Sequence, residues 1–131
     1  MLSEERRRAW DEIVVTKLHG HACECETSIS LANHPELVKM DKVLADPAEP
    51  LGRLKDVPAN HSGISWYSNY PDHYAGDART ASAAKGEALR QIQIDALAEY
   101  IAAVKADPVA PALSREFFAR VRQIAHDRTQ A

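Results

Sequence analysis

Residues 19–38 combine a dense polar cluster with the start of a helix. Their sequence is His-Gly-His-Ala-Cys-Glu-Cys-Glu-Thr-Ser-Ile-Ser-Leu-Ala-Asn-His-Pro-Glu-Leu-Val. Imidazole, thiol and carboxylate groups occupy six of the first eight positions of this stretch. The helix is predicted over residues 24–33, because Pro35 disfavours a helical conformation in the residue before it. Glu24 and Glu26 fall in its first turn, where free N–H groups and the helix dipole favour carboxylates.

The polar side chains of this stretch allow several roles. His21 lies just before the predicted helix, where positive potential favours a neutral imidazole that can accept a proton or bind a metal ion. Glu24 and Glu26 could orient it, or it could simply cap or pack against the helix. Imidazole, thiolate and carboxylate suit zinc. Structural zinc sites, however, use wider cysteine spacing and a second pair, so Cys23 and Cys25 could equally be packing residues.

The whole chain is predicted to be a single partial domain made of four segments. They are an N-terminal helix within 1–17, the polar cluster and helix of 18–40, an irregular aromatic loop over 41–81 and two helices within 82–131. Ser3 is a candidate N-cap for the first helix, over residues 3–12. The β-branched run at 13–15 either forms a buried strand or ends that helix. In the loop, which proline and glycine punctuate, Ile64–Tyr67 is a candidate short strand.

Two amphipathic helices are predicted toward the C-terminus, one over 83–106 with Ser82 as its N-cap and one over 115–128 capped by Ser114. Apolar residues recur at helical spacing in both. They are Leu89, Ile92, Ala96, Leu97, Ile101 and Val104 in the first helix, and Phe117, Val121 and Ile124 in the second. Because at most two weak strands accompany three or four helices, no sheet is evident for these faces to cover. The chain therefore has the pattern of part of a larger fold.

Composition excludes several classes of protein. The chain has 131 residues, 45% hydrophobic and 27% charged, which indicates one globular domain or a piece of one. A formal net charge of −3 argues against a protein that coats nucleic acid or an anionic membrane. No stretch approaches the ~20 apolar residues of a membrane span, and charges occupy the position of a signal-peptide core. With two free cysteines, a cytoplasmic protein without nucleic-acid or membrane partners is expected.

Two segments, taken in order, carry a family resemblance. Residues 21–38 are similar to a His-x-Gly-x-x-Glu-Thr-Ser pattern followed by Leu and Pro-x-Leu-Val, and residues 77–86 are similar to Asp-x-x-x-Ala-Thr/Ser-x-x-Lys-Gly. This pair, within coverage of about residues 18–106, resembles the creatininase (creatinine amidohydrolase) family. The chain departs from the pattern at Cys23, where the family usually has glycine, and at Gly20, where creatininase proper has an acidic residue.

The resemblance implies an α/β fold with a mainly parallel sheet between layers of helices. This chain would be the C-terminal half of that sandwich, rich in helix and poor in strands. It also implies a homo-oligomer and a metal-dependent amidohydrolase, in which zinc or manganese activates water to hydrolyse a C–N bond of a cyclic or small amide. The histidine matching His21 acts as an acid/base group in the family, and Glu26 matches a glutamate near the site.

Further site residues are predicted around these two. Trp66, Tyr67 and His73 belong, with Tyr70 and Tyr74, to an aromatic cluster that could line a substrate pocket, form a subunit contact or pack against a missing half. The candidate metal ligands are His19, His21 and Glu24. The family's main metal motifs, Glu-x-His-Gly and a separate His-x-Glu, are not recognised in this chain, so the isolated chain is expected to be inactive.

Three hypotheses follow from the sequence. The first is a creatininase-family amidohydrolase that needs an N-terminal half. The second is a catalytically inactive fragment that acts as an assembly or interaction module. The third is a small metal-binding protein that uses His19, His21, Cys23 and Cys25.

Overall fold

The computed structural model describes residues 2–58 and 62–129, and the regular secondary structure in that range is helical. Five α-helices follow one another along the chain: α1 Glu4–Ile13, α2 Glu24–Asn33, α3 Gly63–Asn69, α4 Ala83–Ala106 and α5 Val109–Thr129. Single 3-10 turns lie at Pro35–Leu37 and Met40–Lys42. The described residues contain no β-strand, only an isolated antiparallel bridge between Ala48 and Gly76.

The parallel sheet implied by the family resemblance is therefore not found in this part of the chain. Val14 is extended and buried, as a strand residue would be, but it has no neighbouring strand with which to pair. Because Ile13 is the last residue of α1, the β-branched run at 13–15 ends that helix rather than forming a strand.

Serine caps begin two of the predicted helices, α1 and α4. The Ser3 hydroxyl accepts a hydrogen bond from the N–H of Arg6 at 3.3 Å, which fixes the start of α1. The Ser82 hydroxyl accepts one from the N–H of Lys85, also at 3.3 Å, at the start of α4. The bounds of α2 and α4 are those predicted from sequence.

The strand predicted at Ile64–Tyr67 is wrong, because these residues lie inside α3. Ser62 and Ser65 form a reciprocal capping box, in which each side chain bonds the backbone N–H of the other residue. This cap starts a helix despite the β-branched and aromatic residues that follow it.

The start predicted for the last helix is also wrong. Instead of beginning at 115 with Ser114 as its cap, α5 begins at Val109. The Asp107 carboxylate accepts hydrogen bonds from the N–H groups of Val109 and Ala110, at 2.9 and 3.0 Å, and so caps the helix six residues earlier. These two bonds lower the pKa of Asp107. Pro111 is tolerated because it falls in the first turn.

The chain divides into two compact units, residues 1–96 and residues 97–131. The first contains the buried core of the described residues: Val14, Cys23, Ala75, Ala78 and Leu89. In the second, the large apolar side chains are exposed rather than packed. Of the apolar face predicted for α4, only Leu89 is fully buried, and the whole predicted stripe of α5 is exposed. No described helix is both long and apolar enough to cross a membrane.

Candidate functional site

Two glycines allow the turn before α2 to lie against a second loop of the chain. A Cβ at Gly20 would lie 2.6 Å from the carbonyl oxygen of Ala75, and one at Gly76 would lie 2.8 Å from the Cβ of Cys23. The N–H of Ala75 donates to the carbonyl oxygen of His21 at 3.0 Å. Because side chains are absent at both glycines, the two backbones approach closely and hold His21 at the surface.

Glu26 fixes the turn that presents His21. Its Oε2 accepts a hydrogen bond from the N–H of Ala22 at 2.7 Å and lies 3.5 Å from the Nδ1 of His21. Ala22 has a φ of 58°, in the left-handed region that favours glycine. The Thr27 hydroxyl donates to the carbonyl oxygen of Ala22 at 2.9 Å. Side chains from the first turn of α2 therefore hold this strained residue and orient the imidazole.

An aromatic pair lies beside the imidazole, formed by Trp66 of α3 and by Tyr70, the C-cap residue of that helix. The ring of Trp66 meets that of His21 edge-on, with centroids 6.5 Å apart, and Tyr70 packs against Trp66 at 4.8 Å. The side chain of His21 is 63% exposed. His21, Glu26, Trp66 and Tyr70, hereafter the His21 cluster, thus combine an accessible imidazole, a carboxylate and an aromatic wall.

The other predicted substrate residues lie elsewhere. The Arg53 guanidinium covers the ring of Tyr67 at 5.4 Å and also donates to the Tyr67 carbonyl oxygen at 2.6 Å. His73 is exposed, has a φ of 59° and donates its N–H to the carbonyl oxygen of Tyr70 at 3.0 Å. Of the three aromatic candidates, Trp66 is the one that contacts His21.

Glu24 is fully buried, and its carboxylate is already engaged. One oxygen accepts hydrogen bonds from the N–H and the hydroxyl of Thr16, both at 2.8 Å, and the other pairs with the Lys85 ammonium. Burial by itself would raise the pKa of Glu24, but Lys85, Thr16 and Thr80 outweigh it and lower the pKa to about 2. Glu24 is therefore a structural anion that ties α4 and the segment after α1 to α2.

Close helix packing joins the two segments of the family resemblance. The Ser28 hydroxyl accepts a hydrogen bond from the N–H of Ser82 at 3.1 Å. A Cβ at Gly86 would lie 1.9 Å from the carbonyl oxygen of Ser28, so α4 rests directly on the backbone of α2 at this point. Gly86 therefore allows close packing of the two helices.

The described residues do not form a site for zinc or manganese. Cys23 is buried, and its Sγ lies 3.4 Å from that of Cys25. Burial, together with the neighbouring Cys23 thiol, raises the pKa of Cys25 to about 11, so the free thiol is protonated at neutral pH. His19 is exposed. Across residues 2–58 and 62–129, no three His, Cys, Asp or Glu side chains are grouped so that they could hold a metal ion.

Sequence reasoning missed a cavity of about 350 Å³ next to the turn at Ala22. Its walls include Ala22, Thr27, Met40, Val43, Leu44 and Tyr74, so most of its surface is apolar. Among these wall residues, Met40, Val43 and Leu44 lie in the second 3-10 turn or just after it and belong to no sequence motif. Tyr70, a member of the aromatic cluster recognised in the sequence, is the C-cap residue of α3 and packs against Trp66.

Comparisons with known proteins agree with the sequence pattern. Residues 1–101 match the creatininase family, described as creatinine amidohydrolase. No curated protein matches the chain. A crystal structure of a Bacteroides fragilis NCTC 9343 protein, named as a creatinine amidohydrolase, is 28% identical with a TM-score of 0.51. The match covers 70% of this chain and 39% of that one, so the chain spans about two fifths of the length of this similar structure.

Proposed function

The chain belongs to the creatininase family, and from that premise we propose that it supplies the acid–base part of an amidohydrolase site. The substrate would be a cyclic or small amide whose C–N bond is hydrolysed. The observation that carries this proposal is the position of the Glu26 carboxylate. It accepts a hydrogen bond from the N–H of Ala22 and lies close to the Nδ1 of His21.

This geometry suits proton transfer. A carboxylate near Nδ1 favours the tautomer that carries its proton there, and leaves Nε2 to exchange a proton with a bound molecule. When water adds to an amide carbonyl and the C–N bond breaks, the departing nitrogen needs a proton. The accessible Nε2 of His21 would take a proton from the attacking water, and Glu26 is placed to stabilise the resulting imidazolium. The imidazolium then passes that proton to the departing nitrogen and returns to the neutral form.

The substrate would lie against Trp66, whose ring forms one side of the cluster. The nearby cavity of about 350 Å³ is large enough for a compact organic molecule. Family membership implies zinc or manganese to activate the attacking water, but the described residues do not fit such an ion. We therefore assign no step of the reaction to a metal held by this part of the chain.

The larger assembly is part of the same proposal. We infer that the chain corresponds to the C-terminal half of the family fold and that the remainder supplies a sheet and metal ligands. The exposed apolar residues of α4 within the family match, such as Leu97 and Ile101, would then be covered. We also propose that the protein is a cytoplasmic homo-oligomer and that it has no nucleic-acid or membrane partners.

The test is amide hydrolysis by the chain mixed with a separately expressed N-terminal half of a creatininase-family protein and Zn²⁺ or Mn²⁺, measured as released ammonia or amine from cyclic and small amides. Hydrolysis that is lost in His21→Ala and strongly reduced in Glu26→Gln would support the proposal. His34→Ala is the matched control, because His34 also has a carboxylate partner, Glu36 at 3.8 Å, but has no part in the cluster.

Two results would count against it. Hydrolysis that persists in His21→Ala would remove the acid–base role. No hydrolysis by the two halves together, although metal content measured by mass spectrometry shows bound ion, would overturn the amidohydrolase proposal. The alternative, an inactive assembly module, would then be favoured by its exposed apolar helix faces.

A further inference from the structure

Residues 51–53 hold the C-terminal end of α3, the helix that carries Trp66. A helix of seven residues is too short to be stable alone in water, so other parts of the chain must stabilise it. The capping box of Ser62 and Ser65 fixes its first turn. Its last turn ends just before Pro71, which has no N–H group with which to continue the helical hydrogen bonds.

Three consecutive backbone carbonyl groups at this end accept hydrogen bonds from the neighbouring segment. The Arg53 guanidinium donates from Nη2 to the carbonyl oxygen of Tyr67 at 2.6 Å, and from Nε to that of Ser68. The N–H of Leu51 donates to the carbonyl oxygen of Asn69 at 3.2 Å. A helix end leaves such carbonyl groups without helical partners. The segment therefore takes the place of the next helical turn.

Arginine suits the position of residue 53 for physical reasons. Its planar guanidinium presents N–H groups in a fixed fork, so one side chain can bind two neighbouring carbonyl groups. Its positive charge lies at the negative end of the helix dipole. The guanidinium also covers the ring of Tyr67, 5.4 Å from the ring centre, which restrains the side chain. A lysine would keep the charge but lose the fork.

The end of α3 that Arg53 holds also carries the aromatic wall of the His21 cluster. Trp66 directly precedes the first of the bound carbonyl groups, and its ring meets that of His21 with centroids 6.5 Å apart. Tyr70, the C-cap residue, packs against Trp66 at 4.8 Å. If the last turn of α3 unwound, both rings would move away from the imidazole.

We propose that Arg53 is a positioning residue, which holds Trp66 against His21 by fixing the last turn of α3. It acts through Trp66 and does not touch the substrate. The ring contact can be tested without any reaction, whereas the effect on catalysis rests on the proposed function. If Trp66 binds the amide, loss of Arg53 raises KM and leaves kcat almost unchanged, because Glu26 still orients His21.

The experiment compares the assigned imidazole resonances of His21 in variants of the full chain by NMR. Trp66→Leu defines the change in these resonances when the wall is absent. Arg53→Met keeps the unbranched side chain without the guanidinium and should reproduce most of that change. Arg53→Lys, which serves equally if Arg53→Met does not fold, should give an intermediate change in the same direction.

A double variant tests whether Arg53 acts through Trp66. Arg53→Met should add nothing further to the His21 resonances in a chain that already carries Trp66→Leu. Resonances of Arg53→Met and Arg53→Lys that stay at their wild-type positions would overturn the proposal. So would a shift from Arg53→Met that is as large in the Trp66→Leu chain as in the wild type.

The matched control is Arg90→Met. Arg90 also joins separate segments, because it donates to the Asn33 side chain at 2.7 Å and pairs with Glu87, but these partners lie outside α3. Its removal should leave the His21 resonances unchanged. A shift equal to that of Arg53→Met would show a general effect of losing an arginine and would overturn the proposal.

Hydrolysis by the two halves together separates this inference from the proposed function. Arg53→Met should raise KM for the amide with little change in kcat, and a fall in kcat at constant KM would contradict positioning through Trp66. If the two halves hydrolyse no amide, the proposed function fails, and the His21 resonances still decide whether Arg53 positions Trp66.

Discussion

The Lys85 ammonium pairs with the fully buried carboxylate of Glu24 across 61 positions of sequence. This ion pair joins α4 to the first turn of α2, from which Glu26 also projects. The side chain that was a candidate metal ligand is thus already bound by Lys85 and Thr16. We infer that Glu24 positions the His21 cluster by holding the start of α2 in place.

Removing the buried charge should destabilise the fold. Glu24→Gln leaves the Lys85 ammonium beside a neutral amide, and breaking one side of a buried pair costs about 3–5 kcal/mol. Because Lys85 is partly exposed, we expect a loss of roughly 2–4 kcal/mol in the free energy of unfolding, measured with urea. The matched control is Glu26→Gln in the same turn, where the carboxylate is exposed and a loss under about 1 kcal/mol is expected. Equal losses in both variants would contradict the positioning role of Glu24.

Lowering the pH should remove the stabilisation that the ionised carboxylate of Glu24 gives the fold. Because the folded pKa of Glu24, about 2, lies below its ordinary value of 4.5, the unfolded chain binds more protons between these limits. The contribution of Glu24 to the free energy of unfolding is therefore present above pH 4.5 and is lost as the pH falls toward 2. We expect the stability difference between wild type and Glu24→Gln to narrow by roughly 2–3 kcal/mol over this range. A difference that stays constant from pH 6 to pH 2 would show that the charge of Glu24 contributes nothing.

The contact between α2 and α4 gives a steric prediction. In Gly86→Ala the new methyl group would lie 1.9 Å from the carbonyl oxygen of Ser28, so the two helices must move apart. We expect a loss of about 1–3 kcal/mol, the usual cost of overpacking, measured by thermal or urea unfolding. Gly63→Ala is the control, because nothing lies within 4 Å of its added Cβ. Unfolding that is equally unaffected in both variants would contradict the close packing at Gly86.

Features with local signals could be predicted from sequence. The bounds of α4 follow from apolar spacing, the Ser82 cap and the prolines beyond its end. The position of α5 does not, because Ser114 is as good a cap by residue type as Asp107, and the hydrogen bonds that choose between them are visible in the structure alone. For α3, the Ser62 capping box outweighs the strand preference of the residues that follow.

In the candidate site, too, features within one sequence motif could be predicted, whereas contacts between distant segments could not. His21 and Glu26 could be named from one contiguous motif, and the structure places their side chains 3.5 Å apart. The partnership of Glu24 with Lys85 joins two helices, and no periodicity within either segment reveals it. Tyr67 and Trp66 are neighbours in sequence, but helical geometry turns them in different directions, so only Trp66 reaches the imidazole.

The tautomer of His21 provides a direct test of its orientation. With Glu26 close to Nδ1, we expect the neutral imidazole to carry its proton on Nδ1 in an unusually large fraction, because the carboxylate stabilises that form. Nitrogen-15 chemical shifts at alkaline pH should report this, and Glu26→Ala should return His21 to the ordinary preference for Nε2. The same variant should shift the amide resonance of Ala22, which loses its 2.7 Å hydrogen bond, while the imidazole of His34 stays unchanged as an internal control. If His21 already has its proton on Nε2 in the wild type, Glu26 does not orient the imidazole and the acid–base assignment loses its structural support.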